Sequence, residues 1–118
     1  MAKVLVVDDA LFMRKVLIKM LTECGLEIAG EAQNGTEAVE KYKELKPDLV
    51  TLDIIMPGEN GIEVVKKLIN INPEAKIIVV SAIGQISIAQ DAVTAGAKDV
   101  VLKPINKDKL LEAVNKLK

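Results

Sequence analysis

Residues 3–9 read KVLVVDD, and this stretch decides the fold: four apolar residues, three of them valine, run without interruption into two aspartates. Residues 48–53 (DLVTLD) and 76–81 (KIIVVS) repeat the pattern. Such runs are typical of strands that are covered on both faces, as in a parallel sheet. We therefore predict strands over Lys3–Asp8, Leu26–Glu31, Asp48–Asp53, Lys76–Ser81 and Lys98–Lys103. The second, which carries Glu27 and Glu31, is expected at an edge of the sheet.

Amphipathic helical patterns follow each predicted strand. The first helix has an apolar face formed by Met13, Leu17, Met20, Leu21 and Cys24, and we expect Gly25 to end it. The second begins at an Asn34 cap and runs through Lys46. The others are expected near 62–71, near 87–95, and over Lys107–Leu117 behind an Asn106 cap. This alternation predicts an α/β fold of three layers, with a five-stranded parallel sheet between five helices, as a single domain over residues 1–118.

Composition excludes several functional classes. The 118 residues carry 16 basic and 17 acidic side chains, for a net charge of −1, without a basic stripe. We therefore expect no nucleic-acid partner and no membrane partner. A single cysteine leaves no internal disulfide and favours a cytoplasmic location. Because the chain has no histidine, histidine-dependent catalysis is excluded, and any metal is expected to be a hard cation bound by oxygen.

Polar residues end four of the five predicted strands. Asp8 and Asp9 follow the first, Asp53 the third, Ser81 the fourth and Lys103 the fifth. Ligands of open parallel sheets bind beyond the carboxyl ends of the strands, so these side chains are expected at one edge. Glu31 ends the edge strand and is discounted.

Each of these residues also has a purely structural interpretation. Asp9 taken alone is best explained as a helix N-cap, Ser81 as a hydroxyl that bonds its own backbone, and Lys103 as a solvated lysine. Asp53 could start an Asx-turn, but it is the one residue for which the structural interpretation is not favoured even when it is taken alone. Three carboxylates at one edge repel one another, however, and a divalent cation would relieve that repulsion. Asp9 and Asp53 would then bind Mg²⁺, with Asp8 acting directly or through water. In that arrangement Asp53 is a nucleophile toward phosphorus, Lys103 neutralises the incoming oxygens and Ser81 binds the transferred group.

These residues, in this order and spacing, resemble the receiver domain of two-component response regulators over essentially the whole chain. The resemblance rests on Asp8-Asp9, on Asp53 with Met56-Pro57 and Gly61, on Ser81-Ala82, and on Lys103-Pro104. It implies that Asp53 accepts a phosphoryl group from a phosphohistidine, and that Ser81 and Lys103 bind the aspartyl phosphate. It further implies that Asp9, Asp53 and the backbone carbonyl of Ile55 bind Mg²⁺ with support from Asp8, that the Lys103–Pro104 bond is cis, and that the strand order is 2-1-3-4-5.

The stretch from Asp9 to Arg14 is similar to that of stand-alone chemotaxis regulators of the CheY type. This implies a CheA-like sensor histidine kinase as donor, and a flagellar motor switch or archaeal motor adaptor protein as target. It also implies a monomer that is no enzyme, beyond catalysing its own phosphorylation and dephosphorylation, and that signals through the face of helix 4, strand 5 and helix 5. Many receivers have an aromatic residue where this chain has Val100. We therefore expect Ser81 and the loop Ala82–Gln85 to carry the signal.

Three other functions must be distinguished from that of a chemotaxis regulator. A phosphorelay intermediate would share all of these residues, so the sequence leaves it open. A small phosphatase of the haloacid-dehalogenase type also uses an aspartate nucleophile, but in an Asp-x-Asp pattern, whereas Asp8 and Asp9 are adjacent. A flavodoxin-like FMN protein is excluded because residues 8–11 (DDAL) lack a phosphate-binding loop and Phe12 and Tyr42 are the only aromatic residues.

Overall fold

A parallel sheet lies at the centre of the computed structural model, which describes residues 2–56 and 58–117. Its strands are β1 (Lys3–Val7), β2 (Glu27–Ala32), β3 (Leu49–Asp53), β4 (Ile77–Ser81) and β5 (Asp99–Leu102). The helices within the described ranges are α1 (Leu11–Glu23), α2 (Gly35–Leu45), α3 (Gly61–Ile71), α4 (Ile86–Thr94) and α5 (Lys107–Leu117). The strand order is β2-β1-β3-β4-β5, which confirms the predicted fold.

Successive side chains of each strand point to opposite faces of the sheet, so the structure has two separate hydrophobic cores, one on each face. Val4 and Val6 of β1 pack with residues of α1 and α5, whereas Leu5 and Val7 pack with residues of α2, α3 and α4. The strands β3 and β4 are buried along their whole length, as their continuous apolar sequences predict. Strand β2 is only partly buried and lies at an edge, as predicted.

Side chains predicted as caps do begin two of the helices. The Asn34 side chain accepts a hydrogen bond from the amide of Glu37 at 2.8 Å, and Asn106 accepts one from the amide of Asp108 at 2.8 Å. Each bond satisfies an amide that has no partner within its helix. Helix α2 ends one residue earlier than predicted, because Lys46 adopts a left-handed conformation with φ 46°.

The segment after β3 differs from the prediction. A short antiparallel hairpin pairs Ile55–Met56 with Glu59–Asn60, and α3 begins directly after it at Gly61. A Cβ atom on Gly61 would lie 2.4 Å from the Ile54 carbonyl oxygen. The absence of a side chain at Gly61 therefore lets the start of α3 pack directly against the residue that follows Asp53.

None of the described helices combines the length and the apolar character that crossing a bilayer needs.

We expect Gly61→Ala to lower the free energy of unfolding by about 2 kcal/mol, because the new methyl group can be accommodated only by a backbone shift at Ile54. Urea unfolding followed by circular dichroism measures this change. The matched control is Gly84→Ala, since no atom lies within 4 Å of a Cβ built at Gly84. That control should change the free energy of unfolding by less than about 0.5 kcal/mol. Equal effects of the two substitutions would contradict the steric explanation.

Candidate functional site

The residues predicted from the strand ends do meet at one edge of the sheet. Val7 of β1 pairs with Leu52 of β3, so Asp8 and Asp53 extend that pairing by one residue. Strands β3 and β4 pair Asp53 with Val80, and β4 and β5 pair Ser81 with Leu102. The register therefore aligns the carboxyl ends of four neighbouring strands.

The three aspartates form a compact acidic cluster. One carboxylate oxygen each from Asp8, Asp9 and Asp53 lie within 4.8 Å of one another. Asp8 and Asp53 are buried, whereas Asp9 is exposed. The alternative interpretation of Asp9 as a helix cap is wrong: the N-cap of α1 is Ala10, which makes no side-chain capping bond. This leaves the Asp9 carboxylate to the acidic cluster.

Asp53 has one polar partner on each carboxylate oxygen. Its Oδ1 accepts a hydrogen bond from the amide of Ile55 at 3.2 Å, which is the Asx-turn proposed as its structural role. Its Oδ2 accepts one from Nζ of Lys103 at 3.3 Å. The structural and the chemical interpretations of Asp53 therefore coexist, because the turn fixes the carboxylate beside the lysine.

Ser81 lies at the site edge, but among the described residues its hydroxyl makes no hydrogen bond to another predicted site residue. Its hydroxyl is fully buried and donates to the carbonyl oxygen of Ala82 at 2.9 Å, as its structural interpretation expects. The backbone amide of Lys103 donates to the Ser81 carbonyl oxygen at 2.8 Å, which joins the ends of β4 and β5. The Lys103–Pro104 bond is cis, as the family resemblance implies.

The predicted roles of Ile55 and Pro57 stay predictions. The amide of Ile55 contacts Asp53, and its side chain is exposed, but ligation by its carbonyl oxygen stays a prediction. Pro57 lies outside the described residues.

Arg14 is a site residue that sequence analysis named only as part of a stretch. It lies one turn into α1, where its Nη1 donates to the Asp8 carbonyl oxygen at 2.6 Å. Its Nε contacts Glu31 Oε1 at 3.0 Å, and Nζ of Lys41 donates to the Glu31 carbonyl oxygen. Glu31 therefore pairs with Arg14 and does not belong to the acidic cluster, in agreement with the prediction that it is not a site residue. A basic residue one turn after the Asp8-Asp9 pair was the available signal for Arg14.

Asp8 is held by its backbone at two points and by its side chain at one. Its amide donates to the Ala32 carbonyl oxygen at 3.0 Å, its carbonyl accepts from Arg14, and its Oδ1 accepts from the Ala10 amide at 2.9 Å. Its Oδ2 is buried and has no hydrogen-bond partner among the described residues. Burial raises the pKa of Asp8, the charges of Asp53 and Asp9 raise it further, and the Ala10 amide and Lys103 oppose this.

The donor set fits a hard divalent cation. Carboxylate oxygens are the ligands that Mg²⁺ prefers, and it binds at sites that supply only a few protein ligands. The Asp8 oxygen without a partner belongs to a residue of the acidic cluster, where a cation would compensate its buried charge.

We expect Asp8→Asn to stabilise the metal-free protein near pH 7 by roughly 1 kcal/mol, because it removes a buried charge from the acidic cluster. The raised pKa of Asp8 determines how the stability of the protein changes with pH. Stability linked to Asp8 is complete below the unfolded pKa and is lost as pH rises through the folded pKa, so the advantage of asparagine should vanish in acid.

Urea unfolding in chelator at several pH values between about 3 and 8 tests this expectation. A less stable asparagine variant at neutral pH, or a pH-independent difference, would contradict it. Added Mg²⁺ should stabilise the wild-type chain more than the variant, because ligand binding to the folded state adds to its stability.

Comparison with known proteins agrees with this geometry. Residues 4–115 match the family model of the response regulator receiver domain. The chain is 56% identical over 115 residues to a chemotaxis protein CheY of Thermotoga maritima, covering 98% of this chain and 96% of the relative.

Among solved structures, a response regulator receiver domain protein from Clostridium thermocellum superposes with a TM-score of 0.92 at 27% identity, covering 99% of this chain and 94% of that one. A CheX-CheY-BeF3-Mg²⁺ complex from Borrelia burgdorferi superposes with a TM-score of 0.91 at 36% identity, covering 98% and 88%. The family match spans the strands and helices that build the acidic edge, and the chain belongs to the response regulator receiver domain family.

Proposed function

We propose that this chain is a chemotaxis response regulator, a single receiver domain over residues 1–118 that is phosphorylated on Asp53. The observation that carries the proposal is the position of the Asp53 carboxylate, which lies beside two further carboxylates and 3.3 Å from Nζ of Lys103. The high identity to a CheY protein over nearly the whole chain supports chemotaxis as the process.

The proposed step transfers a phosphoryl group from a phosphohistidine to Asp53. A carboxylate oxygen of Asp53 forms the new O–P bond as the N–P bond of the donor breaks, and the electron pair of that bond stays on the histidine nitrogen. The Asx-turn to Ile55 holds the nucleophile in place. Lys103 contacts Oδ2 of Asp53 and is therefore placed to neutralise a phosphoryl oxygen beside it.

The acidic cluster supplies the residues for a cation. Asp9 and Asp53 are the proposed Mg²⁺ ligands together with the Ile55 carbonyl, and Asp8 supports them. Bound there, Mg²⁺ supplies positive charge for the oxygens of the transferred group. The chain itself catalyses only the formation and loss of its own aspartyl phosphate, so it turns over no separate substrate.

Membership of the receiver domain family supports a choice of protein partners. We propose a CheA-like sensor histidine kinase as donor and a motor switch or adaptor protein as target, within the cytoplasm. A CheY relative has been crystallised with CheX, which supports the presence of a protein-docking surface in this family.

The proposal predicts a single phosphoryl adduct when the protein is incubated with Mg²⁺ and acetyl phosphate, measured by intact mass. Asp53→Asn and a sample with chelator should show none, because one lacks the nucleophile and the other the cation. No adduct from acetyl phosphate or from a phosphorylated histidine kinase would overturn the assignment. Continuous release of inorganic phosphate from phosphate esters would point to the phosphatase alternative.

The signal is proposed to leave the site through Ser81. Its hydroxyl bonds the carbonyl of Ala82, which precedes the short 3₁₀ turn Ile83–Gln85, and α4 begins directly afterwards at Ile86. If the hydroxyl turns to bind the phosphoryl group, the bond to Ala82 is lost and the turn is free to rearrange. Val100, which is partly buried against the core, offers no aromatic ring for this purpose.

The proposed output face consists of α4, β5 and α5. Its apolar side chains Ile86, Val93 and Leu102 are each between 36% and 40% exposed. Phosphorylation should therefore change amide hydrogen exchange over residues 82–105, as measured by mass spectrometry on wild type and on the Asp53→Asn control. Ser81→Ala should reduce the change while the adduct still forms. Unchanged exchange in the phosphorylated wild type would contradict this route.

A further inference from the structure

Two buried oxygen atoms without partners belong to residues of the neighbouring strands β1 and β3, or directly follow them. Within residues 2–56 and 58–117, the buried side-chain polar atoms that lack a hydrogen bond are Oδ2 of Asp8 and Oγ1 of Thr51. Thr51 is in the middle of β3 and only 1% exposed. Buried polar groups in native proteins are almost always paired, so each such atom calls for an explanation.

The sheet register places these two residues on the same face. Leu49 of β3 and Val6 of β1 belong to the core beneath α1 and α5, and strand alternation assigns Thr51 and Asp8 to that face as well. Thr51 pairs with Val6, and Asp8 follows Val6 by two residues. Asp53 therefore lies two residues beyond Thr51 on the same strand, and Thr51 and Asp8 are diagonal neighbours on adjacent strands, roughly 7–8 Å apart.

The chemistry of the two atoms is complementary. The threonine hydroxyl carries a proton to donate, and the carboxylate oxygen can only accept. Because both side chains are short, a diagonal separation of this size suits a hydrogen-bond connection through one ordered water. Valine has nearly the same shape and would fill this position in an apolar strand without an unpaired polar atom.

We propose that Thr51 is a positioning residue of the acidic cluster, whose hydroxyl donates toward Oδ2 of Asp8 and fixes that carboxylate for the cation. The inference rests on the proposed function, since it assumes that the cluster binds Mg²⁺. Carboxylates that bind metals are generally oriented by such outer hydrogen bonds, and loss of one typically weakens metal binding about 10- to 100-fold.

The test compares Thr51→Val, which removes the hydroxyl, with Thr51→Ser, which keeps it and removes a methyl group. The dissociation constant for Mg²⁺ is measured by titration calorimetry on the whole chain. We expect valine to raise it about tenfold and serine to leave it within about twofold. A merely structural threonine would give the opposite order, because serine loses packing and valine does not. Equal dissociation constants for valine and wild type would overturn the proposal.

A second measurement needs no metal. If the Thr51 hydroxyl has no partner, Thr51→Val should stabilise the metal-free chain in urea unfolding, because it removes an unpaired buried group. If the hydroxyl donates to Asp8, valine should destabilise it, and the loss should disappear in an Asp8→Ala background. A gain in stability would overturn the proposal. A wild-type chain that binds no Mg²⁺ would instead overturn the metal site of the proposed function, and the unfolding experiment would still decide the role of Thr51.

Discussion

The structure depends on one electrostatic constraint: three carboxylates are held within 4.8 Å of one another at the edge of an apolar sheet. Among the described residues, the side chain of Lys103 forms the ion pair with this cluster, through Asp53. The strands prevent the carboxylates from separating, since Asp8 and Asp53 continue the ladder that pairs Val7 with Leu52. The carboxylates therefore stay close enough to repel one another, and a bound divalent cation would relieve that repulsion.

The frame that holds this cluster is apolar and continuous. Each strand supplies both cores, so a shift of one residue in β1 or β3 would move its buried side chains to the opposite faces. Arg14 adds a tether from α1 to the Asp8 carbonyl and to Glu31 of β2. Gly61 lets α3 begin against Ile54, the residue immediately after Asp53. The position of Asp53 is therefore fixed from the sheet, from the helix after it and from Lys103.

Sequence reasoning recovers the parts of this arrangement that depend on local pattern. The strands follow from uninterrupted apolar runs, and the Asn34 and Asn106 caps from side chains that bond amides two or three residues ahead. Asp9 shows the limit: it has the chemistry of a cap, yet α1 begins one residue too late for it, with Ala10 as N-cap. The contact of Arg14 with Glu31 and the placement of Thr51 on the same face as Asp8 depend on which strands are neighbours and on register, so the local pattern does not predict them. The hairpin at residues 55–60 is too short to leave a periodic signal.

The hydrogen bonds of the site also support the proposed switch. Ser81 donates to the Ala82 carbonyl and Lys103 donates to Asp53, so both donors already have acceptors. A phosphoryl group on Asp53 would offer each of them a charged oxygen. Ser81 would exchange a neutral carbonyl for a charged acceptor, which forms a stronger hydrogen bond, whereas Lys103 would exchange one charged oxygen for another. Because bonds would be exchanged and not simply added, the two proposed states would differ by a small free energy, which a single modification could overcome. The bond that Ser81 would give up is the one to Ala82, at the start of the segment that leads into α4, so the proposed exchange would reach the surface through the chain itself.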